Sequence, residues 1–463
     1  MPTPATRNRL LLSAFVMNTG SHIRGGLWRH PDAQQHRFNE LALWQDLARQ
    51  LEDAKFDALF LADVVGVYGN YGGSTDAHIH KGLQIPSNDP LVLASALAAT
   101  TENLGLAITS STIQAHPFTF ARQLSTLDHL SGGRVAWNIV TSALENAHRN
   151  YGADTIPEHD SRYDEAEEYL EVAYKLWEGS WDDTALKLDK QAGIFADPAG
   201  VRPINHRGNR YSVEGPHLVA PSPQRTPFLF QAGSSPRGTR FAARHAEATF
   251  IFAPNPAHAA KVSARLGATA AEAGRRRDDI KLFAGLSFTV GSTEEEANRL
   301  YEREKEYLDL EAIIAHIGGS LGVDFGGVPL DTPLGDIRTE GSVGLLEAIA
   351  DSVPGGNPTL EDLARYRAEA QHLVGTPEQI ADRLEEWAEA GVDGINIINS
   401  LLPGSYTDFI EQVLPVLRER GLAQSDYAPG TLRQKLTGRS HLAASHYGAS
   451  FRSLAPSAAH RRP

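Results

Sequence analysis

Residues 127–142 read LDHLSGGRVAWNIVTS. The first letters complete a helical pattern over residues 118–130, and Ser131-Gly132-Gly133 supplies a stop signal for it. The letters RVAWNIVTS (134–142) then form an apolar run of strand length that ends in hydroxyl side chains. The run is continuously apolar rather than alternating, which is typical of a parallel strand buried on both faces. This stretch predicts one helix–turn–strand unit of an α/β protein.

Similar units recur along the chain. Helical patterns lie at 38–55, 161–178 and 376–390, and the last opens with Thr376-Pro377-Glu378-Gln379, which offers an N-cap, a proline at N1 and a glutamine at N3. Strand–helix alternation sustained eight times favours a TIM-type (β/α)8 barrel over a doubly wound sheet. The eight candidate strands are LLLSAFVM (10–17), ALFLAD (58–63), LGLAITSST (104–112), RVAWNIVTS (134–142), PFLFQAG (227–233), ATFIFA (248–253), KLFAGLSFTV (281–290) and GINIINS (394–400).

Three stretches exceed a minimal barrel: about 64–88, 179–226 and 308–375. Insertions that follow barrel strands lie on the catalytic face, and the third one is long enough to form a lid. We therefore expect a single barrel domain over residues 1–435 with these insertions, followed by a partly disordered C-terminal tail at 436–463.

The composition excludes several classes of protein. A net charge of −14 argues against sequence-independent nucleic-acid binding and against docking on an anionic membrane. The chain has no cysteine, which rules out disulfides, thiolate metal sites and a cysteine nucleophile. The early apolar run is too short to span a membrane and no cleavage signal follows it, so we expect a cytoplasmic protein.

Polar side chains end two of the candidate strands. Asp63 closes ALFLAD, where a barrel places catalytic groups, although it could equally cap the following segment. Thr109 opens the hydroxyl run Thr109-Ser110-Ser111-Thr112 at the end of the third strand. Those hydroxyls could bind a ligand or satisfy the loop backbone.

A second group of residues suits a phosphate. His159 and Tyr163 are four residues apart in EHDSRYDEAEEYLE, so on a helix they share one face, although a solvated first turn would look the same. The segment QAGSSPRG (231–238), which contains Ser234 and Ser235, follows a strand and opens a helix, where free N–H groups attract phosphate. The chain has no GxGxxG and no P-loop motif, so a dinucleotide or P-loop site is not indicated.

Two histidines lie in candidate insertions or loops. His22 follows the first strand in GSHIRGGLWRHP, and His316 lies in AHIGGSLG, a glycine-flanked stretch of the proposed lid. A lone histidine is more often structural than catalytic. The sequence has no HExxH motif, and His78 with His80 forms only a weak pair, so no metal site is predicted.

Together these segments resemble one family. GGLWRHPDA, KFDALFLAD, LDHLSGGRVAWNIVTS, EHDSRYDEAEEYLE, QAGSSPRG and LPGSYTDFIEQVLPVLRERG match the nitrilotriacetate, dibenzothiophene-sulfone and pristinamycin monooxygenase branch of the bacterial-luciferase-like flavin monooxygenases, from about residue 10 to 435. The resemblance implies FMN contacts at Asp63, Thr109, His159, Tyr163 and Ser234, of which the last three hold the phosphate end. It also implies that His22 and His316 lie near the reaction centre.

The resemblance further implies a function. The chain would be the oxygenase component of a two-component monooxygenase, usually a homodimer or homotetramer, that receives FMNH2 from a separate NAD(P)H:flavin reductase. It would use O2 through a flavin C4a-(hydro)peroxide to oxidise a small sulfone, sulfide or amine-type substrate, and a protonated His316 or His22 could assist proton transfer. Two alternatives stay open: a deazaflavin-dependent oxidoreductase that ignores O2, and a flavin-binding protein without catalysis.

Overall fold

The computed structural model describes residues 9–69, 71–233, 235–336 and 357–452. Its centre is a barrel of parallel strands, and each of the eight predicted runs contains one of them. The strands are β1 (Leu11–Met17), β2 (Ala58–Ala62), β3 (Gly105–Ser111), β4 (Val135–Val140), β5 (Phe228–Gln231), β6 (Ala248–Ile251), β7 (Lys281–Val290) and β8 (Gly394–Ile398). Each strand pairs with the next from β1 to β8, and β8 returns to β1 and closes the barrel. The predicted (β/α)8 barrel is confirmed.

Helices cover the outside of the barrel and its upper face. They are α1 (Leu41–Asp53), α2 (Asp76–Lys81), α3 (Pro90–Ala98), α4 (Pro117–Leu130), α5 (Glu145–Asn150), α6 (His159–Tyr174), α7 (Pro236–His245), α8 (Pro256–Glu272), α9 (Glu294–Lys305), α10 (Leu310–Leu321), α11 (Leu360–Glu369), α12 (Pro377–Glu389), α13 (Gly404–Asp408), α14 (Leu414–Glu419) and α15 (Leu432–Thr437). The capping box at Thr376 and Gln379 forms as predicted. Among the described helices none is long and apolar enough to span a membrane.

Aromatic side chains fill the centre of the barrel. Phe15 contacts Phe60 and Phe250 with ring centroids 5.2 and 5.0 Å apart, and Phe60 meets Phe230 edge-on at 5.3 Å. These rings come from alternate positions of their strands, because successive side chains of a strand point to opposite faces. The rings stop below the carboxyl ends of the strands and leave space above them.

Helix α15 forms the floor of the barrel. Leu432 and Leu436 pack into the same apolar cluster as the barrel phenylalanines. At Gly105 a Cβ would lie 2.6 Å from a methyl carbon of Leu432 and 2.7 Å from a backbone carbonyl oxygen, so a side chain here would displace its neighbours. Arg433 is fully buried here and binds the Glu247 carboxylate with Nε and Nη2 at 2.7 and 2.8 Å.

The insertions contain structure that the sequence patterns did not predict. Two short hairpins lie before β5, Leu186–Asp189 with Ile194–Ala196 and His206–Arg207 with Ser212–Val213. A further strand, His372–Gly375, pairs in parallel with the end of β7. Residues 453–463, the end of the expected C-terminal tail, lie outside the described residues.

A helical cover lies over the mouth of the barrel. Helices α10 and α11 pack together around their own apolar core, which includes Ile313, Ile317 and Leu363. Helix α10 also contacts α2. Both predicted insertions at 64–88 and 308–375 therefore contribute to one cover.

Candidate active site

Two connected chambers open at the carboxyl ends of the strands. The first has a volume of about 290 Å³ and extends from Tyr163 and Gly233 to Tyr68 and Gly319 of the cover. The second, of about 330 Å³, has a wall that includes the four phenylalanines Phe15, Phe60, Phe250 and Phe252. Asp63, Thr109, Val140, Ala232 and Gly233 line both chambers. The strand-end residues Asp63 and Thr109 therefore lie where the chambers meet.

Tyr163 and two glycines form one end of the first chamber. A Cβ added to Gly233 or to Gly238 would lie 2.7 Å from the Tyr163 hydroxyl, so the phenol approaches bare backbone at both positions. Helix α7 begins here, and its N-cap Ser235 accepts a hydrogen bond from the Gly238 N–H at 3.0 Å. A helix start with small residues and a hydroxyl is the kind of site that binds a phosphate.

Two arginines add positive charge to this end, and the sequence reasoning missed both. The Nη1 of Arg162 donates to the carbonyl oxygen of Ser142, a residue of the chamber wall, and its buried Nε has no hydrogen-bond partner among the described residues. Arg237 lies over the Tyr163 ring, with Cζ 5.6 Å from the ring centroid, and its Nη2 pairs with the Asp164 carboxylate at 3.0 Å. Arg162 belongs to the EHDSRYD motif, directly before Tyr163, so its position in the sequence was a signal for a cation at the predicted phosphate site.

Tyr163 and the two glycines form a cradle at this end of the chamber, and His159 lies at its rim rather than in the chamber wall. Its ring centroid is 5.3 Å from that of Tyr163, while its Nδ1 lies 2.7 Å from the Asp160 carboxylate and about half of its side chain is exposed. The prediction that His159 and Tyr163 share a face is correct, because α6 starts at His159. Ser234 lies outside the described residues.

Asp63 has an unusual protonation behaviour at the junction of the chambers. Burial, with a smaller repulsion from Asp89, raises the pKa of the Asp63 carboxyl to about 7. Thr109 beside it accepts a hydrogen bond of 3.0 Å from the Asn138 amide, whose own oxygen has no partner in the described structure. The junction thus offers a carboxyl that changes charge near neutrality and a polar amide edge.

His22 lies in the loop after β1, and His316 lies in helix α10 of the cover. His22 stacks on Phe15 with ring centroids 5.2 Å apart, and its buried Nδ1 has no hydrogen-bond partner in the part of the chain that the structure describes. His316 meets the Tyr68 ring edge-on at 4.9 Å, and its Nε2 lies 3.4 Å from the Gln84 amide nitrogen. Tyr68 and Gln84 were not identified from the sequence, because the 64–88 segment gives no periodic pattern that would place them.

Both histidines are neutral, which corrects the expected protonated form. Burial, followed by the nearby Arg367 cation, lowers the pKa of His22 and of His316 to about 3. Both side chains are only partly exposed to solvent. In this state the two rings can accept or donate hydrogen bonds but carry no spare proton.

The glycines around His316 serve close packing rather than a loose loop. His316 lies inside helix α10, between the buried Ile313 and Ile317. A Cβ on Gly319 would come within 2.7 Å of Tyr68, and one on Gly318 within 2.5 Å of the Val323 carbonyl oxygen. This glycine-flanked stretch is therefore held by apolar contacts, because the helix buries its apolar face.

Arg24 anchors the loop that carries His22. Its Nη1 lies 3.0 Å from both a Glu304 carboxylate oxygen and His372 Nδ1, and it also donates to the Ser400 hydroxyl. The loop after β1 is thereby attached to helix α9, to the added strand and to the segment after β8. This anchoring fixes the position of His22 at the mouth.

Comparison with known proteins decides the family. The sequence model of the luciferase-like monooxygenase family matches residues 17–394 of this chain. The chain belongs to the luciferase-like monooxygenase family. The dimethyl-sulfide monooxygenase of Hyphomicrobium sulfonivorans is 45% identical over 436 residues, which cover 93% of this chain and 91% of that protein. The crystal structure of DmoA from the same organism matches with a TM-score of 0.91 over 98% of this chain and 99% of the other. This luciferase-like protein is therefore a flavin-dependent monooxygenase.

The branch expected from the motifs is confirmed. The dibenzothiophene-sulfone monooxygenase of Rhodococcus erythropolis is 40% identical. A nitrilotriacetate monooxygenase component of Aminobacter aminovorans and a pristinamycin IIA synthase polypeptide of Streptomyces pristinaespiralis are each 35% identical, and all three matches cover more than 90% of the other protein. A crystal structure of riboflavin lyase with modified FMN matches this luciferase-like chain with a TM-score of 0.88 and 39% identity over 96% of the chain and 99% of the other.

Proposed function

We propose that the protein is the oxygenase component of a two-component monooxygenase that takes FMNH2 from a separate NAD(P)H:flavin reductase. One oxygen atom of O2 enters a small organic substrate, the other leaves as water, and the two electrons come from the reduced flavin. The substrate is a sulfide, a sulfone or an amine-type compound. Relatives named for dimethyl sulfide, dibenzothiophene sulfone and nitrilotriacetate support this range of substrates.

The single observation that carries the proposal is the continuity of the first chamber. It leads from a helix start suited to phosphate, at Tyr163 and Gly233, to the polar junction at Asp63 and Thr109. The residues present fit a flavin mononucleotide. The bare backbone at Gly233 and Gly238 leaves room for a phosphate. The buried Asn138 side-chain oxygen and the Arg162 Nε have no hydrogen-bond partner among the described residues, and polar groups of the flavin could supply one. We propose phosphate contacts for His159, Tyr163 and Ser234, and contacts with the rest of FMN for Asp63 and Thr109.

Bound reduced flavin would supply the activation of O2. The chain's own residues would bind and orient both molecules and keep water out, since water in the site favours loss of oxidant as H2O2. Helix α10 and the Tyr68 segment would provide this exclusion. We propose His22 and His316 as the catalytic histidines, which as neutral rings would hold a hydrogen bond to the reacting oxygen rather than deliver a stored proton.

The proposal is tested by reconstitution. The purified chain is mixed with FMN, NADH, a generic flavin reductase and a panel of sulfides, sulfones and amines. Substrate-dependent O2 uptake and products 16 Da heavier (about the mass of one oxygen atom), or with a cleaved C–S or C–N bond, are expected. The chain with FMN but without reductase should not consume NADH, because it lacks a dinucleotide fingerprint. Rapid NADH oxidation by the chain alone, or turnover with reduced deazaflavin but not with FMNH2, would overturn the proposal.

A further inference from the structure

Arg367 on helix α11 is a partly buried cation without a counter-ion among the described residues. Its guanidinium lies over Phe252, with Cζ 5.0 Å from the ring centroid. Within the described residues no carboxylate forms an ion pair with it and no acceptor receives a hydrogen bond from it. The groups whose ionisation would favour its charge are the phenols of Tyr68 and Tyr366, which are uncharged at neutral pH. Its neighbour Arg365, by contrast, is half exposed and pairs with Glu361 at 2.6 Å.

Such a cation is costly for the folded chain. Burial disfavours the charged form, and the pKa of Arg367 is lowered by it. A guanidinium nevertheless stays protonated in proteins, so the charge persists and requires an anion or an equivalent set of acceptors. A ligand that brings a negative charge would supply what the described residues do not.

The contact with Phe252 connects Arg367 with the second chamber. Burial and, to a smaller extent, the charge of Arg367 lower the pKa of His22 and of His316. Phe252, beneath its guanidinium, is part of the wall of the second chamber. A molecule whose charged end met Arg367 could lay an apolar body along Phe252 and Phe250 toward the junction at Asp63.

We propose that Arg367 binds the negatively charged group of the substrate, which is therefore a small organic anion with a carboxylate or sulfonate on an apolar body. The planar guanidinium suits both groups because it can donate two parallel hydrogen bonds to either. The identification of the bound anion as the substrate rests on the proposed function. The binding of an anion at Arg367 is independent of the proposed function.

Binding of matched probes tests the inference directly. Calorimetric titration of the FMN-loaded protein would compare 3-(methylthio)propanoate and 2-(methylthio)ethanesulfonate with the neutral 3-(methylthio)propanamide. We expect wild type to bind at least one anion about 10-fold more tightly than the amide, on the order of one charge-assisted pair. Arg367→Gln should remove the preference, Arg367→Lys should keep part of it, and the exposed control Arg365→Gln should leave it unchanged.

Thermal unfolding without added anion provides a second readout. Removal of an uncompensated, partly buried charge by Arg367→Met should leave the unfolding midpoint unchanged or raise it, whereas loss of a structural ion pair would lower it. Equal binding of anions and amide by wild type, a preserved preference in Arg367→Gln, or a lowered midpoint in Arg367→Met would each overturn the inference. If the enzyme oxygenates neutral substrates and shows no preference for anions, the anion-binding role of Arg367 is overturned and the proposed function stands. If it binds anions but oxygenates no substrate, the proposed function is overturned and anion binding at Arg367 stands.

Discussion

The Tyr163 hydroxyl lies so close to Gly238 that a single methyl group on the glycine would come within 2.7 Å of it. The two residues come from different helices, α6 and α7, so this contact sets the distance between the phenol and the start of α7. The width of the proposed phosphate cradle therefore depends on a residue that makes no side-chain contact of its own.

Gly238→Ala should weaken FMN binding roughly 10-fold. The added methyl carbon would lie 2.7 Å from the Tyr163 hydroxyl and 3.1 Å from the Gly233 Cα, so one of these residues must move. A displacement of about 1 Å disrupts hydrogen bonds to a phosphate. Fluorescence titration with FMN measures the effect. Gly267→Ala in α8 is the matched control, because its Cβ would meet Arg277 at an ordinary 3.5 Å. An unchanged FMN affinity in Gly238→Ala would place the phosphate elsewhere.

Asp63→Asn should flatten the pH dependence of stability. The folded-state pKa of Asp63, about 7, lies above the value of 3.8 for an unperturbed aspartate, so its contribution to stability is complete below about pH 4 and is lost as the pH rises through 7. Between pH 5 and pH 8 wild type should lose about 1–2 kcal/mol relative to Asp63→Asn, less than the full shift allows because the carboxyl borders an open cavity.

Urea unfolding at both pH values, without added flavin, checks this difference. The exposed Asp154 provides a matched Asp→Asn control, in which the gap between wild type and variant should not change with pH. A parallel pair of stability curves for wild type and Asp63→Asn would show that the carboxyl is ionised throughout.

His316→Ala should leave FMN affinity within about twofold of wild type, because the proposed phosphate contacts lie at the other end of the first chamber. Product yield per O2 consumed should fall and H2O2 release should rise, since both a hydrogen bond and water exclusion are lost. The exposed His80 in α2 is the control for a histidine that lies outside the chambers. If His316→Ala couples O2 to product as well as wild type does, His316 is structural.

The pH profile of kcat/KM separates a neutral His316 from a protonated one. With a pKa of about 3, His316 and His22 do not titrate between pH 5 and pH 9 in the free enzyme. The profile of His316→Gln should therefore be lower than that of wild type but equal in shape. Disappearance of a limb near pH 6 to 7 in the variant would mean that His316 acts in its protonated form.

Arg433 and Glu247 beneath the barrel should behave as one unit. Removal of either partner leaves a buried charge, so Arg433→Met or Glu247→Gln alone should cost about 3–5 kcal/mol in the free energy of unfolding. The double variant should cost clearly less than the sum, as measured by a chemical-denaturation cycle. The exposed pair Arg49 and Asp46 should show coupling below about 0.5 kcal/mol in the same experiment.

The barrel could be predicted because its strands are continuously apolar and separated by capped helices. What the sequence did not predict depends on partners distant in the chain. The strand at His372–Gly375 exists because it pairs with Ser287 and its successors on β7. Helix α6 ends at Tyr174 and continues as a π-helical turn, Lys175–Gly179, where one helix was predicted to run to residue 178.

The same distinction holds for the site. Asp63 and Thr109 could be chosen because every barrel places the ends of its strands on one face, and both line the chambers. Arg367 and Gln84 could not, because two separate insertions bring them to the mouth and neither lies in a distinctive motif. His316 was located in sequence, but its neutral state depends on burial and on the Arg367 cation.

The floor of the barrel has a consequence for how the chain is made. Strand β8 ends at Ile398, whereas the floor helix begins only at Leu432. At a ribosomal rate of about 5–20 residues per second, roughly 2–7 s pass between synthesis of the last barrel strand and synthesis of the floor helix. During this time the floor helix cannot yet cover the central phenylalanines. During that interval a chaperone has its best access to the nascent chain, and a reading frame that stops before Leu432 would extend the exposure for the lifetime of the protein.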